Sequence, residues 1–133
     1  MTDLVFFYGT LMSGFRRQGR ARLDHALKPV GRGWISAALF DLGIYPAAIP
    51  ATDTRVWGEV HQMLDIDSVL ATLDEVEGYS KAEPDASLYT RAEIPVTFED
   101  DHAAYAWVYF YNAPLGRAER IESGDYLEHL RVK

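Results

Sequence analysis

Hydrophobic and polar positions along this chain predict short strands, one well-marked helix and several loops. Leu4 to Tyr8 is an apolar and aromatic run of strand length, rich in residues that suit a sheet interior. It breaks at Gly9-Thr10, where a glycine can take backbone angles closed to other residues. The polar, glycine-containing stretch Ser13 to Gly19 reads as a loop. Arg20 to Leu27 reads as a short helix carrying Ala21, Leu23, Ala26 and Leu27 on its less polar side. Val30 to Leu42 reads as a strand, with Gly31 and Gly33 permitting a bulge or close packing and Trp34, Ile35, Leu39 and Phe40 expected in the core. Gly43 to Asp53 holds Pro46 and Pro50, so it is expected to be a loop crossing the sheet. Arg55 to Leu64 is the next strand.

The helix that follows is the clearest element. Asp65 or Asp67 caps it near Ser68. Val69, Leu70, Leu73 and Val76 fall on one face. Glu77 then lies at the edge of that apolar face, and Gly78 occupies the C-cap position. Asp74 and Glu75 point more toward solvent. Ser80 to Ser87 is a polar loop with Pro84, and is the place for a lid if the fold has one. Leu88 to Phe98 and Ala103 to Tyr111 form an antiparallel hairpin around Glu99-Asp100-Asp101-His102. Pro95 marks an edge position or a bulge. Tyr105, Trp107, Tyr109 and Tyr111 share one face by period two, either as a barrel wall or as a ligand wall. After a turn at Ala113 to Gly116, a short helix around Asp125 to Arg131 is expected to bury Tyr126, Leu127 and Leu130.

Composition narrows the class. The chain has 133 residues, a length that suits one domain over 1–133 with a single core, and no internal repeat or linker is visible. A hydrophobic fraction of 48% argues against disorder. No apolar run has the length of a membrane span, and the N-terminus lacks the basic region of a secretory signal. Cysteine is absent, which excludes disulfides, thiolate nucleophiles and thiolate metal sites. The expected location is the cytoplasm, with no membrane partner. A formal net charge of −7 speaks against nucleic acid as a partner. Arg16, Arg17, Arg20, Arg22, Lys28 and Arg32 nevertheless cluster, either as a solvated face or as a rim that attracts an acidic substrate.

The candidate chemistry centres on two places. Successive backbone N–H groups at a strand end that turns at Gly9-Thr10 form a nest for an anion or a carbonyl oxygen. Glu77, near a helix C-terminus and partly desolvated, is expected to hold its proton more tightly than an ordinary glutamate, which suits a group that takes and returns one. Tyr45 precedes Pro46, and its ring either faces a pocket or packs on the proline. Other chemistries fare worse. His25, His61, His102 and His129 lack the paired spacing of a helical zinc site, so no metal is expected. There is no nucleophile elbow, Walker sequence or dinucleotide fingerprint. Glu77 with Asp74 or Glu75 has no sugar-binding context to support a glycosidase pair.

Tyr8-Gly9-Thr10-Leu11, followed by Leu73-Asp74-Glu75-Val76-Glu77-Gly78-Tyr79 and Tyr89-Thr90-Arg91, resembles the γ-glutamyl cyclotransferase family, which includes γ-glutamylamine cyclotransferases and AIG2-like proteins. Leu42-Gly43-Ile44-Tyr45-Pro46-Ala47, Val56-Trp57-Gly58-Glu59-Val60 and Ser123-Gly124-Asp125-Tyr126 extend the resemblance through nearly the whole chain. The resemblance implies an α+β fold: a single compact domain with a mixed, curved, barrel-like sheet and a few short helices. It implies release of 5-oxoproline from a small γ-glutamyl compound by attack of the substrate's own α-amine, with no cofactor. Glu77 matches the family's acid/base glutamate. Tyr8, Gly9, Thr10 and Leu11 match the cradle of the γ-glutamyl head, and Tyr89 a tyrosine bordering the pocket. Tyr45 is a weaker transfer, and Arg91 serves either the substrate carboxylate or an ion pair. A binding module that keeps the pocket without the reaction, for a small acidic ligand or a protein partner, is the alternative.

Overall fold

The computed structural model describes residues 2–12 and 23–131. The loop expected at Ser13 to Gly19, the first residues of the helix expected from Arg20, and Arg16, Arg17, Arg20 and Arg22 of the basic cluster lie outside the described residues.

The first strand, β1, spans Leu4–Phe7. A single 3-10 turn at Asp24–Ala26 leads straight into β2, Leu27–Asp41. Leu27, expected at a helix end, is therefore already strand. β3 runs over Pro46–Met63, pairing back along β2 as one long hairpin. This overturns the loop expected at Gly43 to Asp53. Pro46 begins the strand, where a missing N–H costs little, and Pro50 sits opposite Ala37 at a register shift between Ser36 and Ala37. Gly31 flanks the other shift, as its lack of a side chain allows.

Helix α1 covers Ile66–Glu77. Asp65 is its N-cap, accepting from the Ser68 N–H at 3.3 Å. Gly78 ends it in the left-handed region at φ 67°, where glycine carries no steric penalty. Val69, Leu70 and Leu73 are buried, as their spacing predicts. After a 3-10 turn at Pro84–Ala86 come β4, Tyr89–Phe98, and β5, Ala103–Tyr111, in continuous antiparallel register from Tyr89–Tyr111 to Thr97–Ala103. Pro95 lies where β4 is paired to β5, away from its two-residue contact with β2 at Thr97 and Phe98. A short β6, Glu119–Arg120, joins the end of β2, and helix α2 spans Tyr126–Arg131.

The sheet closes on itself in the order β3-β1-β5-β4-β2, with β2 pairing to β3 and β6 added outside β2. Among the described residues, only the β1–β5 pairing is parallel, matching Val5 to Trp107. The result is a mixed five-stranded barrel with helices packed outside it. Phe6, Ile35, Leu39, Val56, Val60, Val96 and Val108 are essentially fully buried. Trp34 and Phe40, expected in the core, are only half-buried, because they alternate with the buried Ile35 and Leu39 and so fall on the opposite face of β2. Trp34 instead carries the Arg55 guanidinium 4.0 Å above its ring. Leu127 and Leu130 are also more exposed than expected; Tyr126 alone anchors the apolar side of α2. Among the described residues, no helix is long and apolar enough to cross a membrane.

Candidate functional site

A cleft opens where the end of β1, the start of β3 and the end of α1 meet. It is lined by Phe6, Phe7, Tyr8, Gly9, Thr10, Leu11, Tyr45, Pro46, Glu77, Tyr89 and Tyr109. Its open space is about 360 Å³, counting that at its mouth.

The β1 side is a turn. Beyond Phe7 the chain bends, and the Met12 N–H donates to the Gly9 carbonyl at 3.0 Å. Gly9 does not take the left-handed angles open to a glycine. Space explains the glycine instead: a Cβ there would lie 2.7 Å from the Pro46 Cγ. Tyr8 runs inward, its hydroxyl donating to the Tyr109 carbonyl at 2.7 Å and accepting from the Ala48 N–H at 3.3 Å. One phenol thus ties β1 to both β5 and β3.

The opposite side comes from α1. Glu77 is the last residue of the helix and is only 8% exposed. The left-handed Gly78 turns the chain away at once, so the carboxylate sits at the cleft without a following side chain over it. Glu75 is exposed and lies in a separate groove with Gly78, Tyr79 and Ser87. Asp74, expected toward solvent, is instead held: it accepts from Arg91 Nε at 2.8 Å and Nη2 at 3.3 Å, and from the Tyr109 hydroxyl at 2.6 Å. These bonds clamp α1 to the outer face of β4 and β5.

Aromatic rings complete the wall. Tyr89 donates its hydroxyl to the Pro46 carbonyl at 3.1 Å, and its ring lies 6.1 Å from that of Tyr45 and 5.3 Å from that of Tyr111. Tyr45 therefore belongs to a ring cluster at the cleft rather than packing on Pro46 alone. The structure brings Tyr8, Gly9, Thr10, Leu11, Tyr45, Glu77 and Tyr89 to one cleft. It does not bring Arg91 there. The Arg91 side chain is 5% exposed, bound to Asp74, and stacked near the rings of Tyr79 at 5.3 Å and Trp107 at 4.6 Å.

Sequence reasoning did not single out Pro46 or Tyr109. The period-two row containing Tyr109 was the available signal, and it splits: Tyr105 is 59% exposed, whereas Tyr109 is buried beneath Asp74. Burial first, then the Asp74 carboxylate, pushes the Tyr109 phenol well above the ordinary tyrosine range. The loop before Tyr89 is pinned. Ser87 Oγ accepts from the Ser80 N–H, and the Asn112 amide donates to the Ser87 and Pro84 carbonyls.

Elsewhere, Asp41, Glu119 and His129 bring one potential ligand atom each within 4.8 Å of one another. His129 Nε2 lies 2.8 Å from Asp41 Oδ2, a contact that ties α2 to the end of β2. Arg32, of the basic cluster, is engaged with Asp125 at 2.5 Å and lies 4.6 Å from the Trp57 ring centroid.

Comparison with known proteins bears on the whole chain. The sequence model of the gamma-glutamyl cyclotransferase, AIG2-like family matches residues 5–128. The gamma-glutamylcyclotransferase family protein YtfP of Escherichia coli strain K12 is 32% identical over 125 residues, which is 93% of this chain and 96% of that protein. The solution structure of ytfP from Escherichia coli aligns with a TM-score of 0.66 at 30% identity, covering 98% of this chain and 99% of that one. YkqA from Bacillus subtilis gives a TM-score of 0.73 at 22% identity over 99% of this chain, which spans 42% of that protein. An AIG2-like protein from Mus musculus gives 0.69 at 23% identity, over 92% of this chain and 88% of that one. The last two likenesses speak for the fold alone. The chain belongs to the gamma-glutamyl cyclotransferase, AIG2-like family.

Proposed function

We propose that this protein is a γ-glutamyl cyclotransferase acting on a γ-glutamyl amine or small γ-glutamyl peptide. The observation that carries the reading is the placement of Glu77. It is a buried carboxylate at a helix end, facing the same cleft as the turn at residues 8–11. In this reading Glu77 accepts a proton from the substrate's α-ammonium group. The resulting amine attacks the γ-carbonyl carbon, forming the ring C–N bond. Main-chain N–H groups of the turn hold the γ-glutamyl head and stabilise the oxyanion. The ring nitrogen gives up its second proton as the C–N bond to the leaving group breaks, and Glu77 returns the first, so that the departing nitrogen leaves as a free amine in its ammonium form. The products are 5-oxoproline and a free amine or amino acid, with no net redox change. Nucleophile and carbonyl belong to one molecule, so folding the γ-glutamyl chain supplies much of the rate. Tyr8, Tyr45 and Tyr89 shape the wall against which it folds. Arg91 serves the structure through Asp74 instead of the substrate carboxylate. The partner is a small molecule, and neither nucleic acid nor a membrane enters the scheme.

The test is 5-oxoproline release, measured by mass spectrometry over γ-glutamyl amines, γ-glutamyl-ε-lysine, γ-glutamyl amino acids and glutathione. Wild type is expected to release it from at least one, and Glu77→Gln from none while remaining folded. Equal turnover by the two proteins would sink the role of Glu77. No release from any compound, with binding retained, would favour a binding module.

A further inference from the structure

We propose that the Tyr109 hydroxyl oxygen accepts a hydrogen bond from the substrate's α-ammonium group, beside Glu77. The inference rests on the cyclotransferase reading and extends it to a residue that the sequence placed only in an aromatic row.

The argument starts from the proton of that hydroxyl. A phenol has one O–H to donate and lone pairs with which to accept. Tyr109 donates its proton to Asp74 Oδ1 at 2.6 Å. Asp74 is the acceptor here, because the same carboxylate also takes two bonds from the Arg91 guanidinium. Arg91 is in turn fixed by the rings of Tyr79 and Trp107. The direction of the Tyr109 hydroxyl is therefore set by four side chains, Asp74, Arg91, Tyr79 and Trp107, none of which lines the cleft. What remains on the oxygen is acceptor capacity only.

Tyr109 itself lines the cleft together with Glu77. Asp74 and Glu77 are three apart on α1, so they lie on neighbouring positions of one helix face. Glu77 and Tyr109 line the same cleft, and a carboxylate and a phenol oxygen both accept hydrogen bonds, a combination that suits a group with several N–H bonds and a positive charge. A primary ammonium has three donors. When Glu77 takes one proton, a bond to Tyr109 holds a second N–H and so fixes where the freed lone pair points. Tyr109 would contact substrate, while Asp74 and Arg91 are positioning residues that act through it.

The test separates this contact from the reaction. Calorimetry would measure binding of γ-glutamyl-n-butylamine and of its des-amino analogue, glutaric acid mono-n-butylamide, to Glu77→Gln and to Glu77→Gln/Tyr109→Phe. Loss of the hydroxyl should weaken the ammonium-bearing probe about tenfold, the scale of one hydrogen bond to a charged group, and leave the analogue within about twofold. Equal weakening of both probes, or of neither, overturns the proposal, as does failure of Glu77→Gln to bind the ammonium-bearing probe. A second readout needs no change at Tyr109: Glu77→Gln alone should still prefer the ammonium-bearing probe, and loss of that preference overturns the contact. Release of 5-oxoproline by the wild type with no selective weakening would remove the contact and keep the reaction. Selective weakening without release by any γ-glutamyl compound would do the reverse.

Discussion

Gly9 and Pro46 touch so closely that there is no room for a side chain between them: a Cβ on Gly9 would meet the Pro46 Cγ at 2.7 Å. The contact sets the spacing between the turn after β1 and the start of β3, the two sides of the cleft on which Tyr8 and Tyr45 sit. Gly9→Ala should cost about 1–3 kcal/mol in urea unfolding, the scale of overpacking a filled site. Because the strain falls on the turn, 5-oxoproline release should drop about tenfold to a hundredfold. Wild-type release by a stable Gly9→Ala protein would show that the turn does not position substrate.

Tyr109 links the site to alkaline stability. Its phenol is raised by burial and by Asp74, so in the folded protein it stays protonated when an unfolded tyrosine has begun to ionise. The unfolded chain then binds fewer protons than the folded one. Stability from this group is fully present below about pH 10 and falls as pH rises beyond it, by about 1.4 kcal/mol per pH unit. Tyr109→Phe should remove that slope. Denaturant titrations at several pH values above 10 would read it as the difference between the two proteins.

Arg91 offers a contrast between a structural and a substrate role. Its guanidinium makes two bonds to Asp74 between two aromatic rings, a geometry that lysine cannot reproduce. Arg91→Ala should cost about 3–5 kcal/mol by leaving Asp74 without its charge partner. Arg91→Lys should lose part of this. If Arg91 does not meet the substrate carboxylate, the folded fraction of Arg91→Lys should keep a near wild-type KM for its best substrate.

Gly124 should be the least replaceable glycine on the α2 side. It has φ 68°, and a Cβ would fall 1.8 Å from the Arg55 carbonyl oxygen. Its own carbonyl accepts from the Trp57 N–H at 2.8 Å. Gly124→Ala should cost about 3 kcal/mol or more, combining left-handed strain with the clash. Hydrogen exchange should show it as loss of protection at Trp57 before the rest of β3.

What could be read from the sequence was what lies within a few turns of chain. The Asp65 cap, the apolar face through Leu73 and the Glu77-Gly78 ending belong to one continuous stretch, and the structure reproduces them. The β4–β5 hairpin was legible for the same reason. Pro46 and Pro50 misled because their effect depends on the partner strand: one begins β3 and the other faces a register shift. Trp34 and Phe40 were read by hydrophobicity, but the pleat turned them away from Ile35 and Leu39. Asp74 and Tyr109 meet across 35 positions. Neither residue type nor local period could announce that bond.

The parallel seam has a consequence for how the protein is made. β1 emerges from the ribosome before the other strands, yet one of its two neighbours is β5, through Val5 and Trp107. The antiparallel partner β3 can be in place earlier, through pairs such as Phe6 with Val60. The barrel cannot close around Tyr8 until the chain has been synthesised past Tyr109. Contacts so distant in sequence form slowly. The cleft is therefore a late product of folding, and a nascent chain arrested within β4 would carry Glu77, Tyr45 and the turn at residues 8–11 without the Tyr109 side of their wall.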